Sequence, residues 1–402
     1  MKNKKPEIRF KGFSEEWEEK ELGVEVKITM GQSPNGENYT NNPENSILVQ
    51  GNADMKNGKV VPRVWTKQIT KTANSNDLIF SVRAPVGEVG KTDYDVVIGR
   101  GVAAIEGNEF IFQSLIKKNE NGYWNQFSAG STFDSINSND LSKAIISTTS
   151  KTEQTQIGNF FKNLDNLITL HQRKYEKLEI LKKAMLEKMF PKNGADVPEI
   201  RFKGFEGAWE EKDLGDVAEI KTGPFGSTLH AEDYVEDGEP IITTEHFKSG
   251  ILPNYKKGIP QVSNFDYSRL KSYLLKSGDI VFSRVGSVDI NAHIKHFQDG
   301  WLFSGRVLRV RTTESIDSEF LHQELSTTRV RNNVIMRAVG QTMPSINTQI
   351  LKATQVRIPR GINEQKRIGV FFINLDNLLT LHQGELTKLK NLKKAMLEKM
   401  FV

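Results

Sequence analysis

The stretch KKAMLEKMF stands at Lys182–Phe190 and again at Lys393–Phe401, and the repeat it belongs to organises the whole chain. Glu153–Phe190 aligns with Glu364–Phe401 at an offset of 211, with identity at 27 of 38 positions. Upstream, PEIRFKGF occurs at Pro6–Phe13 and at Pro198–Phe205, an offset of 192. DLIFS at Asp77–Ser81 answers to DIVFS at Asp279–Ser283, and Ser135-Ile-Asn137 to Ser345-Ile-Asn347, at offsets of 202 and 210. The offset thus grows by 211 − 192 = 19 residues inside the unit, while the middles, residues 28–76 and 221–278, share no sequence likeness. Each half has a common opening, a private middle and a common ending. A period of about 200 residues is far too long for a solenoid, so the chain reads as a duplicated domain with an appendage.

The appendage is a helix. Phe161, Leu164, Ile168, Tyr175, Leu178, Leu181, Met185 and Met189 step by 3, 4, 7, 3, 3, 4 and 4. Phe372, Leu375, Leu379, Leu386, Leu389, Leu392, Met396 and Met400 repeat those steps, giving one apolar stripe on each of two long helices. Ser150 with Glu153 suggests a capping box at the first start, and Asn363 a cap at the second. Pro191 and Asn193-Gly194 stop the first helix. At ~1.5 Å per residue each rod is about 57 Å long. A lone rod would leave its stripe wet, so the two are expected to pair as an antiparallel coiled coil-like seam. Short runs rich in Val, Ile and Phe at 77–82, 96–104, 279–284 and 301–311 read as strands, and 110–124 and 319–331 as helices. The fold class is therefore two copies of a mixed α/β (α+β) globular domain, each followed by a long α-helix. The expected boundaries are 1–150 and 193–361 for the domains and 151–192 and 362–402 for the helices.

Composition narrows the function. The chain has 402 residues, 37% apolar and 26% charged, with no apolar run long enough to span a membrane. The N-terminal MKNKKPEIRFKGF lacks the apolar core of a signal peptide, so a cytoplasmic location is expected. The absence of cysteine excludes disulfides, thiolate metal sites and a thiol nucleophile. An excess of 55 − 50 = 5 basic residues is compatible with nucleic acid without requiring it. APVGEVGKT at Ala84–Thr92 places Pro85 where a phosphate-cradling loop needs its first glycine, and no Pro-Pro pair offers an amino-methyltransferase tetrapeptide. His293-x-x-His296 lacks an accompanying carboxylate motif and reads as a solvent-facing pair. No catalytic residue and no metal site is assigned.

The PEIRFKGF…W openings, the GQTMPSIN stretch at Gly340–Asn347 and the EQxxIGxFFxxLDxLxxLHQ helices ending in KKAMLEKMF resemble the specificity subunit of type I restriction–modification enzymes. The likeness spans the chain and is most specific in the two helices. It implies a subunit without catalysis of its own, whose domains at 1–150 and 193–361 are target-recognition domains reading the two halves of a split, asymmetric double-stranded DNA target. The spacer helices would hold them about one helical turn apart, ~34–36 Å. The implied partners are two DNA adenine methyltransferase subunits and restriction translocase–nuclease subunits. S-adenosylmethionine and ATP would then sit on those partners and not on this chain. Two other readings stay open: an unrecognised methyltransferase or nuclease, and a coiled-coil scaffold with protein-binding heads.

Sequence reading of DNA needs polar and basic side chains on loops held by a rigid frame. The candidates are Lys67, Lys71, Ser81, Arg83 and Arg100 in the first half, and Lys221, Ser227, Thr228, Arg284, Ser287 and Arg306 in the second. Arg83 and Arg284 follow IFSV and VFS and are taken as equivalents. The expected helix-pair interface is Phe161, Leu164, Ile168, Tyr175, Leu178, Leu181 and Met185 with Phe372, Leu375, Leu379, Leu386, Leu389, Leu392 and Met396.

Overall fold

A computed structural model describes residues 4–83, 85–127, 135–224, 228–248 and 250–402. The chain forms two compact units, Met1–Gln172 with Gln383–Val402, and Arg173–His382.

In the first unit a six-stranded sheet runs in the order Ile28–Met30, Val102–Ile105, Leu78–Ser81, Val89–Lys91, Lys59–Val60, Met55–Lys56. A five-stranded sheet runs Tyr39–Thr40, Trp65–Thr66, Ser46–Val49, Val96–Ile98, Lys71–Ala73. Val49, Ile79, Ile98, Val102 and Ala104 pack together between them. The helix Glu109–Glu120 is capped by Asn108, whose side chain accepts from the Ile111 N–H, and its Phe110, Ile111 and Leu115 bury against the larger sheet. Glu18–Glu21 pairs antiparallel with Ile145–Thr148 and brings the common opening back to the start of the long helix Lys151–Lys188.

The second unit repeats this plan. Ala218–Thr222, Val307–Thr312, Ile280–Ser283 and Asn291–His293 form one sheet, and Tyr234–Val235, Gln261–Val262, Glu239–Ile242 and Leu302–Phe303 the other. Glu210–Asp213 pairs with Gln355–Ile358. The middles that share no sequence therefore still build the same order of four strands in each sheet, because short strands ask only for an alternating apolar face, while Met55–Lys56, Lys59–Val60 and Lys71–Ala73 have no counterpart among the described residues of the second unit. The expected runs at 96–104 and 301–311 each divide into two strands that join different sheets. The helix expected at 319–331 is broken into Ser318–Leu325 and Thr328–Arg337 at Ser326 and Thr327, where Thr327 caps the second piece.

In each unit the two long helices run antiparallel. In the first unit Phe161 meets Phe401 at 5.8 Å between ring centroids, and Lys393 pairs with Asp165 at 2.7 Å. In the second, Phe190 meets Phe372 at 5.9 Å and Lys182 pairs with Asp376 at 2.5 Å. The nine repeated letters end in a plug. Phe401 sits among Trp17, Phe110 and Phe161, and Phe190 among Trp209, Phe320 and Phe372. The opening clasps each junction. The Arg9 guanidinium forks onto Glu153 at 2.6 and 2.8 Å, and Arg201 onto Glu364 at 2.7 and 2.8 Å.

Three expectations change. Leu181 and Leu392 are 39% and 42% exposed, while Leu186 and Leu397 take their places in the cores. The helix ends lie against whole domains and not only against each other, so the buried arc is wider there and turned away from the stripe. At the first start Ser150 Oγ accepts from the Glu153 N–H, but the Glu153 carboxylate leaves the capping box for Arg9. The second helix begins at Ile362, so Asn363 lies inside it.

Candidate nucleic-acid interface

Three loops meet at one end of the paired sheets in the first unit. The turn Gly99-Arg100-Gly101 joins Val96–Ile98 to Val102–Ile105, one strand from each sheet. The Gly99 N–H donates to the Val49 carbonyl, which anchors the turn to the segment Gln50–Asp54. Ser33 Oγ accepts from the Arg100 N–H at 3.1 Å, fixing it to the loop after Ile28–Met30. Gly31 is obligatory there: a Cβ would lie 2.1 Å from the Gly99 carbonyl oxygen. Gly101 is held as tightly, 2.0 Å from the Gln50 oxygen by the same measure.

The second unit builds the same cluster from other residues. The Ser304 N–H donates to Ile242 O, and a Cβ on Gly223 would lie 2.2 Å from the Ser304 oxygen. The Arg284 N–H donates to Arg306 O where the Val82 N–H donates to Gly101 O. Arg306 thus stands at the place of Gly101, one position beyond Arg100. Arg100 and Arg306 are both exposed and make no side-chain hydrogen bond to the described residues.

The other candidates divide. Lys67 and Lys71 are exposed beside this cluster, where Thr70 donates to Gln32 O and the Gln68 side chain accepts from the Asn35 N–H. Arg83 is exposed and bridges to Ser135. Ser287 is exposed and Thr228 half-buried, and Ser227 lies outside the described residues. Ser81 is instead fully buried and its hydroxyl donates to Arg83 O and Pro85 O, so it holds a turn and faces no ligand. Arg284 is not the equivalent of Arg83. Val285 makes the bridge to Ser345 that Arg83 makes to Ser135, which puts Arg284 at the position of buried Val82. Its guanidinium donates to Ile346 O and Gly305 O, each at 3.1 Å, and braces the turn. The Lys221 ammonium donates to Ser272 O and lies over the Tyr273 ring, which ties it to the domain surface.

A family model described as the type I restriction modification DNA specificity domain matches residues 14–180 and again 206–391. The chain belongs to that family. A putative type I restriction enzyme MjaX specificity subunit of Methanocaldococcus jannaschii is 33% identical over 182 residues, 43% of this chain and 42% of that protein. The MjaVIII specificity subunit of the same organism is 25% identical over 261 residues, 61% of this chain and 58% of the relative. The matched stretches therefore span about half the length of these curated relatives. The solved type I S subunit of M. genitalium covers 99% of both chains with a TM-score of 0.67 at 17% identity, a likeness of fold.

Each half of the chain is thus one specificity domain, and the two differ in their interior chemistry. His293, expected in solvent, is buried on the strand Asn291–His293 under the helix Ser318–Leu325. Its Nε2 lies 2.9 Å from Ser318 Oγ and its Nδ1 3.2 Å from Glu319 Oε1. Burial, reinforced by the Lys295 charge, pushes it down to about 3, so it is neutral. His322 is held well below its ordinary value by burial and lies 2.6 Å from Asn291 Oδ1 through Nδ1. In the first specificity domain Lys91 and Glu109 form an ion pair at the corresponding place. Among the described residues no group of three metal-ligating side chains occurs and no helix is long and apolar enough to cross a membrane.

Proposed function

We propose that this chain is a non-catalytic, sequence-specific DNA-binding subunit of a type I restriction–modification complex. Its two specificity domains read the unlike halves of an asymmetric split target. The observation that carries this reading is one order of four strands in each sheet and one set of clamped loops, present twice and built from unrelated residues. Two different half-sites demand such an arrangement; a shared protein partner would demand loops of shared sequence. The scaffold reading is weaker for that reason.

Two adenine methyltransferase subunits then bring S-adenosylmethionine, and translocase–nuclease subunits bring ATP. The complex works in the cytoplasm on the chromosome. Docking of two identical methyltransferases calls for two identical surfaces, and the long helices offer them. Leu167 and Leu170 on the first helix are 46% and 47% exposed, and Leu378 and Leu381, in equivalent positions on the second, 43% and 55%. Solvent-facing leucine pairs at the same place on both copies favour a protein partner bound twice.

The test is genome-wide mapping of N6-methyladenine in cells with and without the gene. A split asymmetric motif that disappears with the gene is expected, and substitution of Leu378 and Leu381 by Asp should abolish it while leaving thermal unfolding unchanged. Methyl transfer from labelled S-adenosylmethionine by the purified chain alone would overturn the non-catalytic assignment.

A further inference from the structure

We propose that the three-loop cluster is the base-reading site of each specificity domain, and that Arg100 and Arg306 determine specificity by presenting the guanidinium fork to a guanine edge in the major groove. The inference rests on the DNA-reading function proposed above and places it on particular residues.

The cluster is where the common frame and the private sequence meet. Its backbone is fixed in the same way in both domains: Gly99 and Ser304 donate to Val49 O and Ile242 O, and Gly31 and Gly223 press against the turn without a side chain. Its side chains have nothing in common. Gln50-Gly51-Asn52 answers to Thr243-Thr244-Glu245, and Gly99-Arg100-Gly101 to Ser304-Gly305-Arg306. A head that reads different bases from one orientation needs a fixed backbone with exchangeable side chains.

The chemistry is that of base edges. Arg pairs bidentately with guanine, Asn and Gln with adenine, and Glu accepts from cytosine. His246, in the loop beside Arg306, takes the Thr243 N–H on Nδ1 at 3.0 Å, which leaves its proton on Nε2. Burial holds it below its ordinary value, so the ring is a neutral donor of fixed orientation. Three other arginines of the second domain are already engaged. Arg311 forks onto Asp279 at 2.7 and 2.6 Å, Arg309 pairs with Glu219 at 2.7 Å, and Arg331 is paired with Asp289. The one-position offset between the two arginines has a steric cause. Gly101 is pinned against the Gln50 oxygen and can carry no side chain, so the first domain holds its arginine at position 100.

The test replaces each arginine by lysine, which keeps the charge and removes the planar fork. Adenine methylation is mapped in cells carrying the wild-type chain, Arg100→Lys or Arg306→Lys. A wild-type chain that gives no split motif overturns the DNA-reading function itself, and this inference with it. Where the motif is present, each variant is expected to relax one guanine position in one half-site. Methylation of sites carrying another base there should rise about tenfold or more relative to wild type, with the other half-site unchanged. Arg100→Lys and Arg306→Lys chains that keep the wild-type motif would overturn the inference, as would a uniform loss over all positions, the signature of a phosphate contact. Both arginines are exposed, and thermal unfolding of the variants checks that each is folded.

Discussion

Replacing Phe401 by Ala tests how the first unit is completed. Phe401 is 5% exposed and its ring centroid lies 5.9 Å from Trp17, 5.0 Å from Phe110 and 5.8 Å from Phe161. Truncating a core phenylalanine costs about 3–5 kcal/mol through lost transfer energy and the cavity left behind. At ~1.4 kcal/mol per tenfold, that is two to nearly four powers of ten in the opening equilibrium of the elements it touches. Amide hydrogen exchange read by mass spectrometry resolves this by region. Peptides from Glu109–Glu120 and from the start of Lys151–Lys188 should lose protection by that factor, up to the limit set by local stability. Peptides from Ser318–Leu325, whose plug is Phe190, should not change. Phe190→Ala should give the mirror image. Unchanged protection at Glu109–Glu120 in Phe401→Ala, or equal loss in both units, would refute the reasoning.

The Arg9→Ala variant strands the Glu153 carboxylate, whose side chain is 0% exposed, and should cost about 3–5 kcal/mol in denaturant unfolding of the first unit. Arg9→Ala combined with Glu153→Gln should recover part of that loss. His293 gives a pH signature. Its folded value of about 3 lies below the ordinary 6.5, so between those values the unfolded chain binds the proton and the folded chain does not. Stability therefore falls as pH drops through that window, by about 2 kcal/mol at pH 5 from this residue. Urea unfolding at pH 7 and pH 5 should show that His293→Gln removes about this much of the wild-type difference, whereas equal pH slopes would sink the assignment.

The duplication and the two helices were legible in the sequence because helix periodicity survives in one dimension. Phe161, Leu164, Phe372 and Leu375 are buried as their spacing requires. Leu181 and Leu392 carry the same periodic signal, but what covers a helix end is set by tertiary packing that the spacing does not encode. Register was the other gap. Ser81 and Arg284 sit in or beside strands where a shift of one position exchanges buried and exposed faces, and the bridge from Val285 to Ser345 agrees with the offset of 202, which puts Arg284 opposite Val82. His293 looked like a surface residue because its neighbours Asn291 and Lys295 are polar. The fold buries it through Ser318 and Glu319, 25 and 26 residues further along the chain. Arg100 and Arg306 were among the basic candidates, whereas Gln50, Asn52, Glu245 and His246 gave no linear signal, since their role depends on loops that meet only in three dimensions.

The plug at Phe401 also sets a schedule for synthesis. The second unit draws on an unbroken run of chain, Arg173–His382, while the first borrows Gln383–Val402. During translation the portion made earliest must wait, its aromatic slot open to solvent, until Phe401 clears the ribosome. The unit that emerges second can close before it. Nascent chains stalled with His382 outside the exit tunnel and Phe401 still within it should therefore carry a sticky, chaperone-accessible first head and a finished second one.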